Sequence, residues 1–288
     1  MTEIDLHTHS TASDGSFTPA ELVAEAVRLR LKALALTDHD TILGLPEARV
    51  AGQRLGLELI GGCELSVSCD HGSMHLLGLW IPGEPAVLGP ALARLAELRI
   101  ARNKAIVHNL NRHGIDLTYA ELEEAAGGGS VGRPHIAEML VRKNVVRSLN
   151  EAFHSWLRPG TKGYAPKEKL TPGQAMELLR AERATIVLAH PCTLNLDGNA
   201  LESLLRDLKD QGLDGVEVHY SMHTQAQTNL YAHLCRKLDL LPSAGSDFHG
   251  AYKPNIALGR GKGGLRASYD LVRRMKEHRA ALGQPVPD

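Results

Sequence analysis

The sequence predicts an α/β fold, a (β/α) barrel interrupted by a block of helices. Three observations carry that expectation. Seven short apolar stretches read as strands and alternate with amphipathic helical stretches, the pattern of a parallel sheet with helices outside. Histidines and carboxylates recur just after those strands, and a (β/α) barrel keeps its chemistry at the C-terminal ends of its strands. One stretch, roughly 97–165, has helical patterning and no clear strand. It reads as a helical insertion between two parts of the barrel, 1–96 and 166–288.

Ile4 to Leu6 reads as the first strand, followed by His7-Thr8-His9. Residues i and i+2 of a strand share a face, so both imidazoles should project together. Thr18-Pro19-Ala20-Glu21 has the chemistry of a helix start, with a capping Thr, Pro in the first turn, then Glu. Ala33–Leu36, Leu57–Ile60 and Ser73–Leu79 read as the next strands, with a helix over Leu45–Leu55 between the first two. A long helix is expected over Leu92–Arg112, then shorter ones near Tyr119–Ala126, Pro134–Lys143 and Leu149–Leu157. Gly127-Gly128-Gly129 separates the first two of these short helices. The β/α rhythm then resumes, with strands at Thr185–Ala189, Gly215–His219 and Leu240–Ala244. Helices over Pro172–Glu182, Asn199–Gln211, Thr224–Leu238 and Ser268–Ala281 accompany them.

The composition narrows the function. A formal net charge of -1 offers no global field for long nucleic acid, and aromatic residues are only 4% of the chain. Cys63, Cys69, Cys192 and Cys235 form no Cys-x-x-Cys, so a disulfide framework or thiolate zinc site is not expected. Free thiols, no signal peptide and no apolar run long enough to span a bilayer lead to the expectation of a cytoplasmic protein.

The chemistry-bearing residues fall into a series. His7, His9 and Asp14 follow the first strand, and His39 the second, between Asp38 and Asp40. Glu64 follows the third, and His75 lies in the next. His190 precedes Pro191 after the fifth, and Asp247 and His249 follow the last. A single histidine after a strand is commonly a structural hydrogen-bonder. Nine such residues at one end of a barrel would converge on its axis, where imidazole and carboxylate together hold divalent metal ions.

These motifs, from His-x-His-x-x-x-x-Asp through Thr37-Asp38-His39-Asp40, Gly62-Cys63-Glu64 and His75-Leu76-Leu77-Gly78 to Ala189-His190-Pro191 and Ser246-Asp247-Phe248-His249, resemble the ordered motifs of the PHP (polymerase and histidinol phosphatase) superfamily. The resemblance covers nearly everything outside 97–165. It implies a distorted (β/α)7 barrel that holds two or three divalent metals and hydrolyses phosphoesters. It further implies one metal on His7, His9, Glu64 and Asp247, a second on Glu64, His75 and His190, and a third on Asp14, His39 and His249. Imidazole and carboxylate without thiolate suit manganese foremost, with zinc or iron as alternatives. A water bridging two metals would have its pKa lowered and could attack phosphorus at neutral pH. Asp38 or Asp40 could orient His39, and Asp40 is taken as a candidate catalytic residue; each could equally be a turn or cap residue.

The insertion should select the substrate. Gly132-Arg133-Pro134-His135 precedes a helix, where Arg, His and the helix N-terminus suit a phosphate; its plain alternative is a helix-start loop. Arg102, Asn103 and Lys104 on the long helix are further candidates against the alternative of a solvated face, as are Lys162, Tyr164 and Lys167. His219, Tyr220 and His223 follow a strand, and His223 is the candidate for contacting the leaving group. An interrupted barrel with Gly-Arg-Pro-His is similar to bacterial family members acting on nucleotides. That implies a small nucleotide substrate, foremost a nucleoside 3′,5′-bisphosphate losing its 3′-phosphate. Short RNA or DNA oligonucleotides trimmed from the 5′ end are the alternative; no long duplex and no membrane is expected. Histidinol phosphate, a small cation, fits Arg133 and the lysines less well. A metal-dependent amidohydrolase would commonly bridge its metals with a strand lysine, where this chain has Glu64. A non-catalytic metal-binding module is the remaining alternative.

Overall fold

In the computed structural model, which describes residues 2–127, 130–284 and 286, seven strands lie side by side in chain order. Gly128 and Gly129 of the expected glycine run lie outside the described residues. The strands are β1 (Ile4–Asp5), β2 (Ala33–Leu36), β3 (Glu58–Val67), β4 (Met74–Leu79), β5 (Thr185–Leu188), β6 (Gly215–Tyr220) and β7 (Leu241–Gly245). The Leu6 N–H donates to Ala244 O at 3.0 Å and Thr8 bridges Phe248, which brings the last strand back beside the first. The result is a nearly closed, distorted (β/α)7 barrel.

The sheet is mixed, which corrects the expectation that its strands simply run parallel. β4 is antiparallel to both β3 and β5, while the other neighbours are parallel. Only residues 68–73 join β3 to β4, and parallel neighbours need a crossover of a dozen residues or more. β3 also runs past the expected Ile60 through Glu64 to Val67, so Glu64 sits within a strand, opposite Leu77. His75, near the start of the reversed β4 and opposite Ser66, therefore reaches the rim where the other strands end.

Around the sheet lie α1 (Pro19–Arg28), α2 (Leu45–Leu55), α7 (Pro172–Ala181), α8 (Gly198–Asp210), α9 (Gln225–Leu238) and α10 (Asp270–Ala281). Between β4 and β5 come α3 (Leu88–Asn111), α4 (Tyr119–Ala125), α5 (Arg133–Arg142) and α6 (Leu149–Ala152), the last continuing as a π-helical turn, Phe153–Leu157. α1 begins as its sequence dictates. Thr18 Oγ1 accepts the Glu21 N–H at 3.2 Å, and the Glu21 carboxylate accepts the Thr18 N–H at 2.8 Å.

Side chains alternate across the strands with period two. Ala33 and Ala35 of β2 meet Ile4, Ile60, Leu77, Val187 and Ala244 in the barrel interior, whereas Leu34 and Leu36 pack under Leu22, Val23 and Ala26 of α1. Trp80, Val272 and Met275 join the interior cluster, and the buried Arg279 guanidinium lies 5.2 Å from the Trp80 ring. The helices between β4 and β5 bury a core of their own around Ile106, Leu110, Leu122, Ile136, Leu140 and Leu157. Among the described residues, no helix is long and apolar enough to cross a membrane.

Candidate metal centre

Each of the nine candidate ligands comes to the same rim. His7 and His9 leave β1 with their side chains wholly buried, their rings 5.2 Å apart. Gly245 on β7 makes room for His7, since a Cβ there would collide with His7 Cβ. Three residues here hold left-handed backbone: Asp40 (φ 51°), His190 (φ 27°) and Asp247 (φ 58°). Such conformations cost non-glycine residues roughly 1–3 kcal/mol each and persist where surrounding structure enforces them.

Glu64 is the hub. Its Oε2 lies 3.2 Å from His7 Nε2, 3.2 Å from His9 Nε2 and 2.9 Å from His39 Nδ1, and its Oε1 lies 2.7 Å from His75 Nδ1 and 2.9 Å from His190 Nε2. Asp247 Oδ1 lies 3.2 Å from His9 Nε2 and 3.3 Å from His249 Nδ1, and Asp14 Oδ1 3.3 Å from His249 Nε2. Several of these approaches are not hydrogen bonds. His7 Nε2, His9 Nε2, His39 Nδ1 and Glu64 Oε2 are buried and lack a hydrogen-bonding partner. Leaving one such atom unsatisfied costs about 1–3 kcal/mol. Here their lone pairs face one another, an arrangement that divalent ions satisfy and that fits imidazole and carboxylate donors. Cys63 adds no thiolate: its Sγ donates to Asp38 O.

The charges follow the same layout. Burial alone would raise the Glu64 carboxyl, but the imidazoles around it, His39 first, hold it well below the usual carboxylate range. Asp247 also overcomes its burial, through Lys253 and His249, and stays well below its ordinary value. Burial pushes His75 down to about 4, against the pull of Glu64. Two ionised carboxylates and a neutral His75 imidazole are what a cation requires of its ligands.

Four donor sets lie close enough to share an ion: His7, Glu64 and His190; His7, His9 and Asp247; His39, Glu64 and His75; and His9, Asp14, His39 and His249. His7 and Asp14 never share a set, whereas His9 and His39 belong to more than one. His7→Ala and Asp14→Ala are therefore expected to release different ions, and the double variant to release both. Metal analysis of the dialysed proteins checks this; both single variants losing the same ion would contradict it.

A cleft of about 330 Å³ opens beside this cluster, lined by Asp14, His39, His75 and His249 on one side. Arg99, Arg102, Arg133, Lys167, Lys169 and Lys253 also line it, with Leu149, Asn150, Phe153 and Tyr252. Half of these cations are spoken for. Arg99 donates to His39 O at 2.6 Å and pairs with Asp40, Lys167 bonds Asp40 and Ser66, and Lys253 bonds Asp247 Oδ2 at 2.6 Å. Arg102 spends only its Nε, on Ala165 O at 3.0 Å. Arg133 and Lys169 have no hydrogen-bonding partner among the described residues, though Arg133 sits 5.9 Å from the Phe153 ring. Burial, and then Arg133 beside it, pushes Arg102 down to about 10; the same two causes lower Lys169. Cations that repel one another, and that form no ion pair with a carboxylate among the described residues, make an anion site.

The other sequence candidates are placed differently. His135 Nδ1 accepts the Gly132 N–H at 2.9 Å, so the ring caps α5 rather than facing the cleft. Asn103 lines the cleft, but its side chain is buried and its Nδ2 donates to Val131 O at 2.8 Å. Lys104 is exposed outside the cleft, 5.3 Å from the Tyr119 ring. Helical spacing explains the difference: residues 99, 102 and 103 share a face and 104 does not. Asp40 does not orient His39; its carboxylate binds Arg99, Lys167 and Ser66 N. Asp38 binds Ser10 and Ser13. His223 lies outside the cleft, its Nδ1 on Val218 O at 3.0 Å and its ring between Tyr220 and Tyr231. Sequence reasoning missed Arg99, Lys169, Lys253 and Glu217. Arg99 had a detectable signal, its i, i+3 spacing to Arg102; Glu217 had another, a lone carboxylate inside the apolar strand Gly-Val-Glu-Val.

Comparison with known proteins agrees with this geometry. The model of the PHP domain matches residues 5–186. A 5′–3′ exoribonuclease of Salmonella typhimurium is 35% identical over 258 residues, covering 89% of this chain and 88% of that protein. A 3′,5′-nucleoside bisphosphate phosphatase of Chromobacterium violaceum is 33% identical over 251 residues, covering 86% and 88%. A solved structure from Chromobacterium violaceum, described as an amidohydrolase with bound sulfate and no metal, superposes with a TM-score of 0.82 at 30% identity over 94% of this chain and 96% of that one.

Proposed function

This chain belongs to the PHP domain family and is a metal-dependent phosphoesterase, and from that premise we propose that it removes nucleotides one at a time from the 5′ end of short, 5′-phosphorylated RNA. The observation that carries the reading is the trio Arg102, Arg133 and Lys169, cations with no ion-pairing carboxylate among the described residues, in the same cleft as the ligand cluster. One phosphate meets the cluster and a second meets the trio. Exoribonuclease activity in relatives 35% identical to this chain supports it.

Divalent ions held by the nine ligands, manganese foremost, would supply Lewis acidity to a phosphoryl oxygen and make water nucleophilic near neutral pH. The chain's own residues do the rest. Arg102, Arg133 and Lys169 hold the 5′-phosphate by charge-assisted hydrogen bonds. Leu149 and Phe153 offer the base an apolar wall, and Asn150 a polar edge beside it. Lys253 adds positive charge at the metal end of the cleft. The stretch 97–165 thereby supplies Arg102, Arg133, Leu149, Asn150 and Phe153 to substrate binding, and the barrel formed by 1–96 and 166–288 adds Lys169 and Lys253.

The reaction is addition of water to the phosphorus attached at O3′, with cleavage of the P–O3′ bond and protonation of the departing O3′. From RNA the products are a 5′-nucleotide and a shortened strand that again carries a 5′-phosphate. A nucleoside 3′,5′-bisphosphate is the smallest molecule with the same two phosphates, and the same bond breaks to give a 5′-nucleotide and phosphate. The bisphosphate is the second reading, favoured by a cleft of about 330 Å³, near the lower bound for ligand pockets.

Rates on the manganese-loaded protein test the proposal. A 5′-phosphorylated trinucleotide and adenosine 3′,5′-bisphosphate are expected to be cleaved, with kcat/KM higher for the trinucleotide. Histidinol phosphate, whose ammonium meets the cation trio, is expected to be poor. Preference for the bisphosphate would select the second reading, and preference for histidinol phosphate would overturn both.

A further inference from the structure

Glu217 is buried in β6 between the equally buried Val216 and Val218, and among the described residues no Lys or Arg pairs with it. A carboxylate taken out of water costs several kcal/mol unless its oxygens are bonded. Both are. Oε1 lies 3.1 Å from His7 Nδ1, and Oε2 accepts the backbone N–H of His190 at 2.7 Å. His190 is the residue whose backbone is strained at φ 27°. Its ring is steadied separately, Nδ1 lying 3.1 Å from Thr193 Oγ1, which leaves Nε2 toward Glu64. One of the four donor sets is His7, Glu64 and His190, and Glu217 holds both of its histidines. None of His9, Asp14, His39 and His249 makes a hydrogen bond to Glu217.

We propose that Glu217 is a positioning residue of the metal centre, fixing His7 through its ring and His190 through its backbone, and so shaping the ion positions that these two histidines serve rather than the set His9, Asp14, His39 and His249. A carboxylate only accepts, so His7 keeps its proton on Nδ1 and presents the Nε2 lone pair to the ion. Gly245 completes the device: a Cβ there would overlap His7 and come within 2.9 Å of Glu217 Oε1. β1, β5 and β6 are thus tied together at the atoms that aim two ligands. The inference rests on the metal-dependent reading and is independent of which phosphoester is the substrate.

Glu217→Gln is the informative change. If its oxygen stays on His190 N, its amide N–H₂ faces His7 Nδ1, which must then accept, and the proton moves to Nε2, where it blocks the ion. Metal titration of the stripped protein, followed calorimetrically, reads this without any activity measurement. The expected result is a weakening of about 10–100-fold at the donor sets that contain His7, with the set His9, Asp14, His39 and His249 binding as in the parent. Adding Asp14→Ala should then remove a further, different ion. Glu217→Asp, which keeps the acceptor but shortens its reach, should weaken the same His7-containing sets and serves if the glutamine protein does not fold. Parent-like binding at every position, or equal loss at all of them, would overturn the proposal.

Discussion

Glu64→Gln should empty much of the metal centre and lower kcat/KM by at least about 10³-fold, several kcal/mol of transition-state stabilisation. Five imidazole nitrogens lie within 3.2 Å of the Glu64 carboxylate. A glutamine of the same shape offers one oxygen and turns an N–H₂ toward lone pairs that need a cation. Two of the four donor sets include Glu64, so more than one ion should leave. A stability readout accompanies the rate. An ion present at about 100 times its Kd adds roughly 2.7 kcal/mol to the folded state. Chelation should therefore lower the melting temperature of the parent and barely move that of the variant. A variant that keeps its metal and works within about tenfold of the parent would remove Glu64 from the centre of the account.

The second large effect concerns which end of the substrate is read. Arg133→Met with Lys169→Met keeps the aliphatic stems and removes both charges. A hydrogen bond to a charged group contributes about 1.5–3 kcal/mol, so the pair should cost about 10²–10⁴ in kcat/KM on 5′-phosphorylated RNA. On the same RNA with a 5′-hydroxyl the loss should stay under about tenfold, because no phosphate was there to be held. Steady-state rates on the matched substrates separate the cases, and an equal loss on both would mean that these cations do not read the 5′-phosphate.

The barrel was legible because strands and helices leave different periods in the sequence, and the candidate ligands because histidines and carboxylates recur beside strand after strand. What sequence hides is direction and reach. The reversal of β4 depended on the short 68–73 connection, and it is the reversal that brings His75 to the rim from the start of its strand. Asp40 sits beside His39 in the chain, yet its left-handed backbone aims the carboxylate at Arg99 and Lys167. His135 has the composition of a phosphate ligand and instead caps a helix. Lys169 and Lys253 look like any surface lysine until the fold places them in one cleft. Sparse aromatics argued against a base platform, but a single nucleotide needs few, and Phe153 and Tyr252 both line the cleft.

In the proposed reaction the 5′-phosphate is held while the ester at the neighbouring O3′ is cut. Digestion of a short RNA carrying a labelled 5′-phosphate, with the products resolved over time, tests it most directly. Label is expected from the first turnover as a labelled 5′-mononucleotide, with unlabelled strands shortening in step. Label that stays on progressively shorter strands, or appears as free phosphate, would contradict it.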